Sequence, residues 1–198
     1  MKNWLCFIIL FSLTQTGSAQ TMRVASIKCA EPSWRQVARG EQIGCVDQQG
    51  KKQGLWQKKS GATVLAQYTY VNGERTGPYT KFLPQGRPSV SGHFLKGKPN
   101  GTWKPYDDTG RLSEQETYTN GVLDGPFYRW YPNCLERVTG EYRLGKKVGK
   151  WRTFNDEGIR LSEGEYRDDK RSGDWWFYGA SGALQEKGPY EDGRRQGA

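Results

Sequence analysis

GKPNGTWKPYDDTGRLSEQETYTNG, residues 97–121, decides the fold of this chain. Two glycines four apart open it, Gly97 and Gly101, and Trp103 follows two residues later. Then come Tyr106, a turn at Asp107–Gly110, a polar extended run and Tyr118. At Gly121 and Gly125 the same order of residues begins again. Self-similarity at a fixed period of this size marks a repeat architecture.

The period extends in both directions. The first glycine recurs as Gly50, Gly73, Gly97, Gly121, Gly145 and Gly193, with Asp169 in its place once. The second recurs as Gly54, Gly77, Gly101, Gly125, Gly149, Gly173 and Gly197, a spacing of 23 once and 24 thereafter. Rings obey the same grid. Two residues after the second glycine stand Trp56, Tyr79, Trp103, Phe127, Trp151 and Trp175, and five after it Phe82, Tyr106, Trp130, Phe154 and Tyr178. Three before the first glycine stand Tyr70, Phe94, Tyr118, Tyr142, Tyr166 and Tyr190. These positions take 17 of the 23 aromatics beyond residue 19, which excludes chance spacing.

Each unit has hairpin chemistry. Glycine supplies positive φ, and Asn-Gly pairs at 72–73, 100–101 and 120–121 are turn signals. Aromatics and threonines flank the turns, as extended segments prefer, and no segment carries a helical period of ten residues. The expected fold is all-β: an elongated, single-sheet antiparallel β-hairpin repeat array over residues 47–198, with about six 24-residue units and a terminal half unit. Two strands per unit at about 4.8 Å give about 10 Å of advance per repeat, and about 12 or 13 strands in all. With only 34% hydrophobic residues, the core must come from stacked rings, each able to bury about 150–250 Å². Strand alternation puts the Trp103 and Tyr106 positions on opposite faces unless a bulge intervenes. Either both faces are partly covered or each strand is kinked.

Residues 1–19 read as a signal peptide, with Lys2, an apolar run over 4–13 and the small residues Gly17-Ser18-Ala19 before Gln20. That run is too short to span a bilayer. Export, periplasmic or secreted, with cleavage near Ala19/Gln20, is the expectation. Residues 20–46 read as an N-terminal cap, with Trp34, Val37 and Ile43 supplying apolar area at an end of the array that needs covering. In an oxidising compartment Cys29 pairs with Cys45, closing a short segment that has no repeat to hold it. Cys134 is then the odd thiol, in a place where other hairpins carry Gly86, Gly110, Gly158 and Gly182.

Units such as GEYRLGKKVGKWRTFNDEG (140–158) and GEYRDDKRSGDWWFYGASG (164–182) resemble the variant MORN repeat. That pattern also marks the YwqK-type antitoxin repeat family. The resemblance covers residues 47–198 and implies a β-hairpin array serving as an interaction scaffold. The antitoxin name implies binding and neutralising one partner. Cys134 and Asp169 depart from its glycine pattern, which puts the turns there in question.

No catalytic, cofactor-binding or metal-ligating constellation stands out, so an enzyme is not the expectation. His93 is the only imidazole and occupies a solvent-facing strand slot. The pairs Asp107-Asp108 and Asp168-Asp169 lie in turns, where Asp serves local hydrogen bonding. No cysteine or histidine spacing suits zinc. Asn100-Gly101-Thr102 is formally a glycosylation acceptor, relevant only to a eukaryotic secretory route.

Two surface features concern binding. A basic rim follows the first glycine of the units: Lys51, Lys52, Arg75, Lys98, Lys146, Lys147, Lys170, Arg171, Arg194 and Arg195. Val122-Leu123 interrupts it. The formal net charge is +9, or +8 without Lys2. Off-grid rings at Tyr128, Tyr131, Trp176 and Phe177 are the second feature, with Tyr128 and Trp176 in one equivalent slot. Three binding functions follow. The first is an exported, non-enzymatic scaffold for another protein. The second is a surface module whose rim takes anionic lipid or wall polymer, and the third an immunity or antitoxin protein. Nucleic acid suits an exported chain poorly.

Overall fold

The computed structural model describes residues 27–197, so the signal-peptide reading of 1–19 lies outside the described residues. The chain is all-β. Seventeen strands follow in order: β1 (Arg35–Arg39), β2 (Gln42–Val46), β3 (Lys52–Ser60), β4 (Thr63–Val71), β5 (Glu74–Phe82), β6 (Pro88–Leu95), β7 (Lys98–Pro99) and β8 (Gly101–Pro105). They continue as β9 (Glu114–Thr119), β10 (Val122–Leu123), β11 (Gly125–Trp130), β12 (Glu136–Arg143), β13 (Lys146–Phe154), β14 (Arg160–Arg167), β15 (Lys170–Tyr178), β16 (Leu184–Glu191) and β17 (Arg194–Arg195). All belong to one open antiparallel sheet whose neighbours are sequential hairpins. With β7 joined to β8 and β10 to β11, thirteen passes run from Lys52 onward, in line with the hairpin arithmetic. The remaining two, β1 and β2, form a hairpin from the proposed cap and extend the sheet instead of closing over its end.

Tight turns set the first edge. Asn72–Gly73, Lys96–Gly97, Asn120–Gly121, Leu144–Gly145, Asp168–Asp169 and Asp192–Gly193 all take positive φ at both residues, the pattern of type I′ hairpins. Asp169 and Cys134, both at φ 67°, take the left-handed conformation of the glycines they replace. The turns are also joined to each other. Gly73 N–H donates to Lys52 O at 2.9 Å, Gly97 to Arg75 at 2.8 Å, Gly121 to Pro99 at 2.7 Å and Gly145 to Leu123 at 2.7 Å.

Each unit is kinked twice. Around Gly77, pairing passes from Tyr68↔Tyr79 to Tyr70↔Arg75, so β5 spends two extra residues there. The same excess surrounds Gly149 and Gly173. Farther along, the returning strand carries one extra residue: Leu65, Ser89, Arg137, Leu161 and Gln185 lie between consecutive register partners. Because these bulges sit on the partner strand, alternation from Trp151 to Phe154 or from Trp175 to Tyr178 is unbroken. The two ring positions therefore face opposite sides. Both faces carry aromatics, and the strands are kinked as well.

The best-buried core lies at the N-terminal end, where Val46, Trp56 and Tyr70 cluster with Val37 and Tyr68 packed against them. The Cys29–Cys45 disulfide is present, with the two Cα atoms 5.7 Å apart. Cys134 is not a free thiol, which corrects the reading of an odd cysteine.

Candidate functional site

The first face of the sheet is a ring ladder. Tyr79 meets Phe94 and Trp103, both at 5.4 Å between centroids, and Trp103 meets Tyr118 at 6.2 Å. Farther on, Phe127 stacks on Trp151 at 5.6 Å, Trp151 meets Tyr166 at 5.9 Å, and Tyr166 meets Trp175 at 5.1 Å. The ladder rests on a set of glycines that the turn-based reading passed over. A Cβ added to Gly44, Gly92, Gly140 or Gly164 would overlap the indole of Trp56, Trp103, Trp151 or Trp175 respectively. The indole N–H then donates to the carbonyl one residue beyond that glycine, as from Trp56 to Cys45 and from Trp175 to Glu165. Where the floor residue is not glycine the ring is not tryptophan: Tyr68 faces Tyr79, and Glu116 stands at the corresponding place before Phe127.

Glu116 also marks the break in the ladder. Tyr118 Oη donates to Glu116 Oε2 at 2.9 Å, and Arg129 is bound to Glu114 while its guanidinium lies 5.5 Å from the Phe127 centroid. Burial pushes the Glu116 carboxyl up from its ordinary value, with Glu114 adding to the shift against the Tyr118 hydrogen bond. Burial, aided by Glu116, pushes the Tyr118 phenol up to about 12. This carboxylate pair was legible as a departure from the floor glycine, but the search for adjacent acids pointed to the turns. One acid of each turn pair is engaged in backbone hydrogen bonds. Burial would raise Asp107, but bonds from Thr109 and Arg111 outweigh it and hold the carboxyl below its usual value. Asp169 accepts from Lys147 N–H at 2.8 Å.

The basic rim separates into two rows, because successive residues on a strand point to opposite sides. Lys51, Lys98, Lys146, Lys170 and Arg194 are exposed along the turn edge. Lys52, Arg75, Lys147 and Arg171 are half-buried over the ladder. Lys52 Nζ lies 4.2 Å from the Trp56 centroid, Lys147 Nζ 4.4 Å from Trp151, and the Arg171 guanidinium 4.7 Å from Trp175. Arg75 sits 4.6 Å from Tyr68 and donates to Tyr70 Oη. Arg195 is exposed and bridges to Glu186 at 2.6 Å. The inner row lies over the rings, and the outer row with Arg195 is the part most open to solvent.

Of the four off-grid rings, Phe177 belongs to the ladder face, 5.9 Å from Trp175. The other three do not. Tyr128 stacks on Trp130 at 5.7 Å, Trp176 lies under Lys187 Nζ at 5.1 Å, and Tyr131 donates to Phe154 O at 2.9 Å. A cross-strand row links two of them: Tyr128↔Thr139↔Arg152↔Glu163↔Trp176↔Lys187. Toward the N-terminus the equivalent row reads Gln57↔Gln67↔Thr80↔Ser91↔Lys104, without rings.

No protein-family model matches the chain, and no curated protein matches it. His93 is exposed on β6, opposite Pro78. Among the described residues no group of three or more His, Cys, Asp or Glu could hold a metal ion, and no helix is long and apolar enough to cross a membrane. The disulfide is compatible with an exported protein.

Proposed function

We propose that the protein is an exported, non-enzymatic scaffold of the MORN-variant type that binds a partner protein through the second face of its C-terminal half. The observation that carries this reading is the Tyr128-to-Lys187 row. Its half-exposed Tyr128, Arg152 and Trp176 lie along one face of contiguous strands, and Tyr, Trp and Arg dominate the energetics of protein contacts. The disulfide and the leader-like residues 1–19 support export. Tyr128→Gln with Trp176→Gln tests the reading by capture from envelope extract. Loss of one protein, retained by the native chain at low and high salt, is expected with unchanged thermal stability; equal capture by the variant sinks it. An immunity role is the special case in which that single partner is a toxin.

A second reading has its own observation. The outer basic row is interrupted at Val122, 44% exposed, and Leu144, 75% exposed, stands at the next turn along, where Val122 Cγ1 lies 3.5 Å from the place a Cβ on Gly145 would take. Lysines flanking an apolar tip suit an anionic lipid or polymer surface, with salt-sensitive binding. Sedimentation with anionic vesicles at low salt but not high salt would favour it, and no sedimentation at either would remove it.

A further inference from the structure

At the N-terminal end, away from the Tyr128–Trp176 row, an open cleft of about 650 Å³ lies between the turn after β2 and the turn joining β4 to β5. Trp34 forms one wall, its ring 3.5 Å from where a Cβ on Gly54 would sit, and buried Tyr70 lies behind. Asp47, Gln48, Gln49 and Asn72 supply polar atoms. No Lys, Arg or His lines it.

The walls are fixed. Gln53, only 6% exposed, donates its amide to Asp47 Oδ2 at 2.8 Å and Asn72 Oδ1 at 3.0 Å, and accepts from Asn72 N–H at 2.9 Å. Asp47 Oδ1 accepts from Lys51 N–H at 2.9 Å. The Gln53 bond holds the Asp47 carboxyl below its usual value, so it is ionised at neutral pH. No ion pair engages it among the described residues. The Cys29–Cys45 disulfide ties the segment bearing Trp34 to the strand leading into Asp47. A site held this way loses little freedom on binding.

We infer that this cleft is a binding site for a neutral saccharide. A sugar ring presents C–H groups to the negative face of an aromatic, here Trp34, and hydroxyls at its edges. The Asp47 carboxylate, with about four accepting sites, takes bonds from the Gln53 amide and from the Lys51 and Gln49 backbone, which leaves capacity for a ligand hydroxyl. The exposed amides of Gln48 and Gln49 both donate and accept, as a hydroxyl-rich ligand needs. The charges at the rim are mixed, the Asp47 carboxylate with the Lys51 charge beside it and the Lys52 ammonium over Tyr70, so a ligand of either sign meets a like charge there and a neutral one meets none.

The test is two-dimensional NMR of the full mature chain titrated with cellotriose and with N-acetylchitotriose, and with lysine amide and inorganic phosphate as charged probes. Saturable shifts of the Trp34 indole and the Gln48, Gln49 and Asn72 side-chain amides are expected with at least one trisaccharide. Asp47→Asn should weaken binding about tenfold, the scale of one hydrogen bond to a charged group. Trp34→Ala should abolish it. If Trp34→Ala disturbs the fold, Gln48→Ala with Gln49→Ala serves instead, since both side chains are exposed. No saturable shift with either trisaccharide overturns the inference, as does preferential binding of lysine amide or phosphate. The Tyr128→Gln, Trp176→Gln chain should bind the sugar unchanged, so this site and the partner-binding face fail independently.

Discussion

Gly164 lies so close beneath Trp175 that the indole occupies the space a Cβ would need. Trp175 is 3% exposed and held by Tyr166 on one side and Tyr190 on the other, so the ring cannot retreat without breaking the ladder. Gly164→Ala is expected to cost about 2–3 kcal/mol by overpacking, read as a lower urea midpoint. Adding Trp175→Tyr should recover part of the loss, since the two sites are coupled. Additive losses would show that the glycine matters for its backbone alone.

Glu116 should make stability fall with rising pH. Its folded carboxyl holds the proton more tightly than the ordinary 4.5, chiefly through burial. Between those two values the native state binds more protons than the unfolded one, so the penalty grows with pH and is complete above the raised value. Glu116→Gln, which still accepts from Tyr118, is expected to exceed the native chain in denaturant midpoint at about pH 7 and match it at about pH 4. A gain that persists unchanged in acid would assign the effect to packing.

Leu144 is an apolar residue at φ 49° in a type I′ turn, with 75% of its surface exposed. Nothing in its packing repays the left-handed conformation. Leu144→Asn should raise stability by about 0.5–1 kcal/mol, visible as a higher melting temperature. A drop in stability would reveal a folded-state contact.

Removing the Cys29–Cys45 bond should cost about 3 kcal/mol for a separation of 16 residues. The loss should be local. Hydrogen exchange is expected to speed up in β1 and β2 while β13 to β16 keep their protection. Uniform acceleration would instead mean that the hairpin at this end nucleates the whole sheet.

What the sequence made legible was whatever repeats in residue type. Ring offsets announced the ladder, and Asn-Gly pairs announced the turns. Cys29 and Cys45 were paired by position alone. Gly92, Gly140 and Gly164 escaped notice as a set because glycine in a hairpin reads as turn chemistry, whereas these serve by having no side chain under an indole. Grouping Lys51 with Lys52, or Lys146 with Lys147, overlooked strand alternation, which sends one outward and lays the other on a ring. Phe177 was grouped with Trp176 for the same reason. The Glu114–Glu116 pair lay two residues apart on a strand, a spacing that puts both on one face but does not catch the eye as adjacent acids do.

The hydrogen bonds from each first-edge turn to the turn before it have a consequence for how such a gene can change. Among the described residues each first-edge turn is bonded to the unit before it, through a bond of the same kind at each step. Duplicating one block of 24 codons would therefore add about 10 Å of reach without disturbing any existing register. In that sense the molecule is a ruler, and the separation between the cleft at one end and the aromatic row toward the other is a length that selection could set in whole steps.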